Sequence, residues 1–269
     1  GSPDAPLLNV TVGGEIVANN VVYEQEVIYE MPRQTSTLGT SAMDAPRRVL
    51  GTDDLGRDQF ARLLFGGQVS LGIAFSAALI AASIGVTVGI LTGYYGGILD
   101  DAVNWVITTI SSLPTLLLLL IIIAVTKPGP PVLIAVLGLL GWFGVARLVR
   151  GETFSIRARE YVVSARSIGA PVSRILLVHI LPNLLSVVLI ALALSIGGLI
   201  LTESALSYLG FGINPPTPSW GNMLSNSQTF FTKGVHLVVV PGLLITITVL
   251  CLYVIGDGLR DAFDPTLKN

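Results

Sequence analysis

"EYVVSARSIGAPVSRILLVHILPN", residues 160–183, lies between long stretches of the chain that are nearly free of charge. Together with the residues just before it, this stretch carries Arg147, Arg150, Arg157, Arg159, Arg166 and Arg174, six of the chain's 15 Lys and Arg residues. Gly169 and Pro171 interrupt it, and another apolar run follows. A glycine followed two residues later by proline ends one helix and lets a second begin. The spacing predicts a helix over residues 152–168, a turn at Gly169, and a second helix from about Ser173 that Pro182 bends.

Composition identifies the solvent. Only 12% of the 269 residues are charged, 52% are hydrophobic, and the mean hydropathy is +0.76. Soluble domains carry about 25% charged residues, so water is not the main solvent here. The net charge of −2 argues against a nucleic-acid partner, because such proteins concentrate basic charge. Cys251 is the single cysteine and lies in an apolar run. No Cys/His group has metal-ligand spacing, so no metal site is expected.

A helix needs roughly 20 apolar residues to cross a bilayer. Five runs qualify: Leu63–Leu99, Ala102–Thr126, Pro128–Ala146, Ile175–Thr202 and Gly234–Gly256. The fold class expected is an all-α polytopic membrane protein with five transmembrane helices in this chain. Short basic loops stay on the cytoplasmic side, which places the arginine-rich loop 147–182 and the C-terminal tail in the cytoplasm. Residues 1 to about 66 then fall outside, and a sixth spanning helix or an export signal is expected upstream of residue 1.

Four segments follow. Residues 1–46 read as an extracytoplasmic, β-rich segment and linker, since 7–30 is rich in Val, Ile and Tyr and broken by Gly-Gly and Asn-Asn. Residues 47–69 read as a turn and a short amphipathic helix with Phe60, Leu63 and Leu64 on one face. Residues 70–256 form the transmembrane domain, and 257–269 a cytoplasmic tail. Within the domain, Asp100 and Asp101 favour a helix start and Pro114 suggests a kink. Pro215, Pro216 and Pro218 stiffen the outer loop 204–233, and Trp220 suits a membrane–water interface.

On the residues alone, the opening segment is a short helix and sharp turn at the cytoplasmic surface. Arg157, Arg159, Arg166 and Arg174 can meet lipid phosphates, while small Ser164 and Ala165 permit close approach by a partner. An ordinary membrane-surface helix carries the same features.

The segment also resembles the cytoplasmic pattern of ATP-binding-cassette importer permeases: Glu-Ala-Ala, three residues, Gly, nine residues, Ile, one residue, Leu-Pro. With that glycine on Gly169, the Leu-Pro falls on Leu181 and Pro182 and the Ala-Ala on Ser164 and Ala165. Val163 stands where the pattern has glutamate and His179 where it has isoleucine. "LGTDDLGRDQFARLLFGGQVSLGIA", "GYYGGILDD", "ARLVRGETFSIRAREYV", "ESALSYLGFGINPPTPSWGNML" and "GDGLRDAFDP" extend the likeness over most of residues 48–266. They resemble the second membrane subunit of the dipeptide/oligopeptide/nickel branch. Residues 1–46 carry no such likeness.

The resemblance implies a type I importer permease fold. It implies that two ATP-binding subunits grip helix 157–169 and that a homologous permease subunit forms the other half of the solute path. An extracytoplasmic solute-binding protein would deliver cargo, with peptides the commonest. The implied coupling set includes Arg157, Arg159, Tyr161, Val163, Ser164 and Ala165. It continues through Arg166, Gly169, Ala170, Leu181 and Pro182. Asp53, Asp54, Arg57 and Trp220 are candidate outer-face contacts. Glu203 is a candidate intramembrane residue, read as accepting bonds from the outer loop.

No cofactor is expected on this chain. Its lysines, Lys127, Lys233 and Lys268, follow Thr, Thr and Leu, whereas a P-loop needs Gly-Lys-Ser/Thr. The resemblance implies that ATP and Mg are held by the partner subunits. A secondary transporter or channel without ATP coupling is the rival, but such transporters place ionisable or unwound sites near mid-membrane. An intramembrane hydrolase is disfavoured, since His179 and His236 are the only histidines and the expected topology puts them on opposite sides.

Overall fold

The computed structural model describes residues 49–53, 55–126, 129–226 and 234–263, which are nearly all helical. The β-rich segment expected over residues 1–46 lies outside the described residues, as do Asp54 and the end of the tail.

Helix α1 (Gln59–Tyr95) starts where the Asp58 carboxylate accepts from the N–H groups of Phe60 and Ala61, at 2.9 and 3.2 Å. This satisfies donors that a helix start otherwise leaves open. Gly96, with φ 66°, ends it. Its 37 residues span about 55 Å at 1.5 Å per residue, more than a hydrocarbon core of roughly 30 Å. The short amphipathic helix expected before residue 70 is therefore not separate; it forms the first turns of α1. Phe60, Leu63 and Leu64 lie three and four residues apart on this helix; Leu63 is buried, and Phe60 and Leu64 are exposed. Gln59, Leu63, Gly66, Gly67 and Ser70 face inward there.

The second apolar run is not one kinked helix. It divides into α2 (Gly97–Ser111) and α3 (Thr115–Val125), bent by 82° at the break. Pro114 cannot donate a hydrogen bond and disfavours helical geometry in the residue before it. Here the chain turns at that point instead of bending gently. α2 is fixed near its start by the Asp100–Arg150 ion pair, while Leu119 and Ile123 of α3 pack with Leu133 and Leu137.

Helix α4 (Pro130–Arg157) opens with two prolines, tolerated because the first helical N–H groups have no partner within the helix. It lies along α1 on a seam of small residues. A Cβ on Gly85 would come within 2.7 Å of Val145 Cβ, and one on Gly89 within 2.8 Å of Val149 Cβ and of the Ala146 carbonyl. A Cβ on Gly93 would come within 2.6 Å of Thr153 Cβ. Glycines four apart thus oppose bulkier residues four apart, the close approach by which spanning helices associate. Residue numbers rise together along the seam, so α1 and α4 are parallel.

The predicted helix 152–168 is broken. α4 continues to Arg157, Ala158 and Arg159 leave the helix, and α5 covers Glu160–Ser167. After Gly169 comes a short turn of helix, α6 (Val172–Arg174), then a π-helical turn (Ile175–Ile180) and α7 (Leu181–Tyr208). Pro182 explains the π turn: its ring and missing N–H disturb the α pattern one turn back. The Leu181 N–H accordingly donates to the Leu176 carbonyl, five residues away.

α7 runs against α1, since Ile196 and Ile200 pack with Ala74 and Ala78, and Ile180 and Leu184 with Ile90 and Tyr94. A short α8 (Trp220–Asn226) follows, and then α9 (Val235–Phe263), which extends past the expected boundary at residue 256. α9 is antiparallel to α7: Gly197 lies near Val249, and Gly256 near Leu194. Among the described residues, four helical stretches are long and apolar enough to cross a membrane: α1, α4, Val172–Tyr208 and α9. The bent α2–α3 pair has the composition of one more.

Candidate functional site

Two places gather the singled-out residues: the α5 end of the bundle and the opposite, α8 end. At the first, the Arg159 carbonyl accepts from the Val162 and Val163 N–H groups at 3.0 and 3.1 Å, restarting the helix. α5 turns Val162 and Ala165 inward, where Val162 packs with Tyr94, Ile156, Ile175, Ile180 and Leu184. Its outer side shows Tyr161, Val163 and Ser164, followed by Ile168, which is 85% exposed. Ala165 is buried against the rest of the chain.

Gly169 closes α5 at φ 81°. Its N–H donates to the Arg166 carbonyl at 3.0 Å, and the Ala170 N–H to the Ala165 carbonyl at 3.1 Å. This paired closure is the Schellman arrangement, which needs a left-handed residue and so favours glycine. The turn is fixed by its own backbone.

The arginines have divided roles. Arg157 points inward and donates to the carbonyls of Gly93 and Tyr94, and the Arg166 guanidinium lies 5.1 Å above the Tyr94 ring. Arg159 and Arg174 are exposed. Arg157 is half-buried, and one nitrogen of its guanidinium is engaged at the end of α1. Tyr161 sits beside His179, ring centroids 6.3 Å apart, and Leu181 is half-buried while Pro182 is exposed.

At the α8 end, Asp53 organises the entry to α1. Its carboxylate accepts from the backbone N–H groups of Leu55 and Arg57 at 3.0 and 2.8 Å and from Arg57 Nε at 2.7 Å, and it pairs with Arg62. Burial works against ionisation of Asp53, but the N–H and guanidinium of Arg57, followed by Arg62, outweigh it and hold the pKa below the ordinary carboxylate value. Asp53 is thus occupied within the chain, and Arg57 is partly open to solvent.

Trp220, expected at a membrane–water interface, is buried. Its indole lies against Gly67, where a Cβ would be 2.8 Å from the ring, and its Nε1 donates to the Leu63 carbonyl at 3.0 Å. Glu203 is fully buried and accepts from Ser207 Oγ at 2.7 Å. Among the described residues, no group of three His, Cys, Asp or Glu side chains could hold a metal ion. The chain therefore presents, at one end, a short surface helix rigidly tied to its core, and at the other a buried polar cluster under a loop.

Residues 85–269 match the family of binding-protein-dependent transport system inner membrane components. The chain belongs to that family.

As an inner membrane component of this family it has several near relatives. It is 35% identical over 224 residues to the dipeptide transport system permease protein DppC of Haemophilus influenzae, covering 83% of this chain and 76% of the relative. It is 37% identical over 219 residues to the oligopeptide transport system permease protein OppC of Bacillus subtilis, covering 81% and 72%. The glutathione transport system permease protein GsiD of Escherichia coli O157:H7 is 40% identical over 219 residues, again covering 81% and 72%. Among solved structures, an inward-facing MetNI methionine ABC transporter chain superposes with a TM-score of 0.62 at 20% identity, over 76% of this chain and 98% of that one. That likeness shows a shared fold.

In this transport component, the loop that carries the motif residues is the one the fold brings to a single surface. Nothing local announces the break at Ala158–Arg159, where no Gly or Pro stands. Nor does residue order reveal that Asp100 and Arg150 pair, or that Ser70, Ser207 and Ser219 gather near Glu203. A carboxylate within a hydrophobic run is the one usable signal for the last of these.

Proposed function

We propose that this chain is one permease subunit of an ATP-driven peptide importer, and that residues 158–182 couple it to separate ATP-binding subunits. The observation that carries the reading is α5. It is a single short helix with a solvent-facing side of Tyr161, Val163 and Ser164, and its other side is keyed into the bundle core through Val162 and Ala165. A push on such a helix would pass to the core, because Val162 packs with Ile175 and Ile180 and the Gly169 closure holds its end. Peptide cargo is supported by the names of the relatives, which are dipeptide, oligopeptide and glutathione permeases.

The parallel packing of α1 and α4 supports five spans. A chain that leaves the end of α1 and enters α4 in the same direction must cross back between them, and α2–α3 is the segment available. Its contacts agree: Asp100 lies by Arg150 near the end of α4, and Leu119 and Ile123 lie by Leu133 and Leu137 near its start. The antiparallel pairing of α7 and α9 brings the end of α9 to the α5 end. The arginines there favour the cytoplasm, which puts the C-terminus on the same side.

A homologous permease subunit would complete the path. An open groove of about 450 Å³ between α4, α7 and α9, lined by Glu152, Ile190, Asp257 and Arg260, opens near the α5 end. On the outer face of α9, Val235, Val239, Leu243, Ile247, Leu250 and Val254 are exposed and suit lipid or that subunit. ATP and Mg would be held by the ATP-binding subunits, and an external solute-binding protein would supply the cargo.

The test is uptake of a labelled dipeptide and of labelled glutathione by proteoliposomes holding the assembled complex. The reading predicts uptake only with ATP on the α5 side and binding protein on the other. Uptake that runs without ATP would contradict it.

A further inference from the structure

The outer segment 209–226 lies against α7 with no space to spare. A Cβ on Gly212 would overlap Ser207 Oγ, and one on Gly221 would sit 2.5 Å from the Ser204 carbonyl. Such contact needs polar groups to be matched, since each buried unmatched one is costly.

Three serines make the match. Ser207 Oγ accepts from the Ile213 N–H at 3.0 Å, Ser70 Oγ from the Trp220 N–H at 3.2 Å, and Ser219 Oγ from the Asn222 N–H at 3.2 Å. Ser70 belongs to α1, Ser207 to α7 and Ser219 to the outer segment itself. All three are buried. A hydroxyl has one proton to give, and each of these three, already accepting from a backbone N–H, has that proton to direct at another acceptor. Ser207 gives its proton to Glu203 Oε1 at 2.7 Å. Ser70, Ser219 and Ser204 also lie close to the Glu203 carboxyl. They complete no hydrogen bond to Oε2, which has no partner among the described residues, and neither has Ser204 Oγ. Donation to Oε2 would take a shift of the side chains and not of the hydroxyl protons alone.

We propose that Glu203 is the common acceptor that locks the outer segment to α1 and α7, so that all three move as one body during transport. It is a positioning residue. It touches no solute, and it acts by ordering serines that in turn hold the backbone of residues 213–222. Asn222 strengthens the same segment from within, donating to the carbonyls of Ile213 and Thr217 at 2.9 and 2.8 Å. The functional part of the inference rests on the importer reading; the lock itself does not.

The test uses the whole complex in lipid nanodiscs, with Cys251→Ser and a spin label on Thr217→Cys, an exposed position within the segment. Glu203→Leu and, as a milder change, Ser207→Ala are compared with Glu203→Gln, which keeps a carbonyl acceptor. ATPase activity is measured with increasing as-purified binding protein. The lock predicts a more mobile label in Glu203→Leu and Ser207→Ala and substantial rescue in Glu203→Gln. It also predicts at least a threefold rise in the binding-protein concentration for half-maximal stimulation, with unstimulated ATPase unchanged. Label mobility in Glu203→Leu equal to that of the parent would overturn it, whatever Ser207→Ala shows, because Ser207 also holds the Ile213 N–H directly. A mobile label in a complex whose ATPase never responds to binding protein would leave the lock standing and remove the importer reading.

Discussion

Arg157, the last residue of α4, donates to the Tyr94 carbonyl in the last turn of α1 at 2.9 Å, and the same nitrogen reaches the Gly93 carbonyl at 3.0 Å. A cation at a helix C-terminus meets the negative end of the helix dipole as well as open carbonyls. The contact ties the two parallel helices together just before the chain enters α5. Arg157→Ala should lower stability by about 2 kcal/mol, the scale of charged hydrogen bonds, with Arg157→Lys recovering part of it. Thermal unfolding of the complex in detergent measures this.

The glycine seam gives a sharper structural prediction. Gly89 faces the Ala146 carbonyl and Val149 at 2.8 Å from where a Cβ would stand, whereas Gly144 on α4 has nothing within 4 Å. Gly89→Leu should force α1 and α4 apart and cost at least about 1–3 kcal/mol, as overpacking does. Gly144→Ala should leave the yield of assembled complex unchanged. Size-exclusion profiles of the two variants decide it.

Which features are legible in the sequence follows from the range of the forces involved. Gly169 and Pro171 announce a turn because backbone geometry is local, and the turn is where they place it. Apolar runs announce spans, but they set neither helix ends nor bends. Run composition does not distinguish a Pro114 kink from an 82° break, since neighbouring packing selects between them. The break before α5 is not encoded locally. It accompanies Arg157 reaching α1 and Val162 reaching the core, both long-range contacts. The chemistry of Trp220 alone suggests an interface; its burial depends on Gly67, far away in sequence. The Glu203 cluster is half visible, as a carboxylate among apolar residues whose serine partners come from other elements.

Asp53 predicts an acid-side pH dependence. Its pKa is held below the ordinary carboxylate value, so it contributes stability above its unfolded pKa of about 3.9, and this is lost as pH falls through the lower folded value. Asp53→Asn should lose that contribution at neutral pH and flatten the acid limb of the stability curve. Thermal unfolding between pH 7 and pH 3, parent against variant, gives the comparison. An unchanged acid limb would count against the Asp53–Arg57–Arg62 arrangement.

Gly169 separates backbone strain from crowding. It has φ 81° and no atom within 4 Å of where a Cβ would stand, so the effect of a side chain there is conformational. Gly169→Ala should cost about 1–2 kcal/mol and lower transport per ATP hydrolysed more than it lowers assembly. Gly169→Asn, which tolerates left-handed geometry better, should fall between. Uptake and hydrolysis measured on the same proteoliposomes give the ratio.

The central claim is that α5 is the element gripped by an ATP-binding subunit. The most direct measurement is a disulfide crosslink from Ser164→Cys, exposed on α5, in a Cys251→Ser background, to single cysteines placed in the ATP-binding subunit of the assembled complex. The account predicts a crosslink to that subunit whose yield changes when nucleotide binds. An assembled, ATP-hydrolysing complex that yields no crosslink from this position would contradict it, leaving α5 a surface helix without a coupling role.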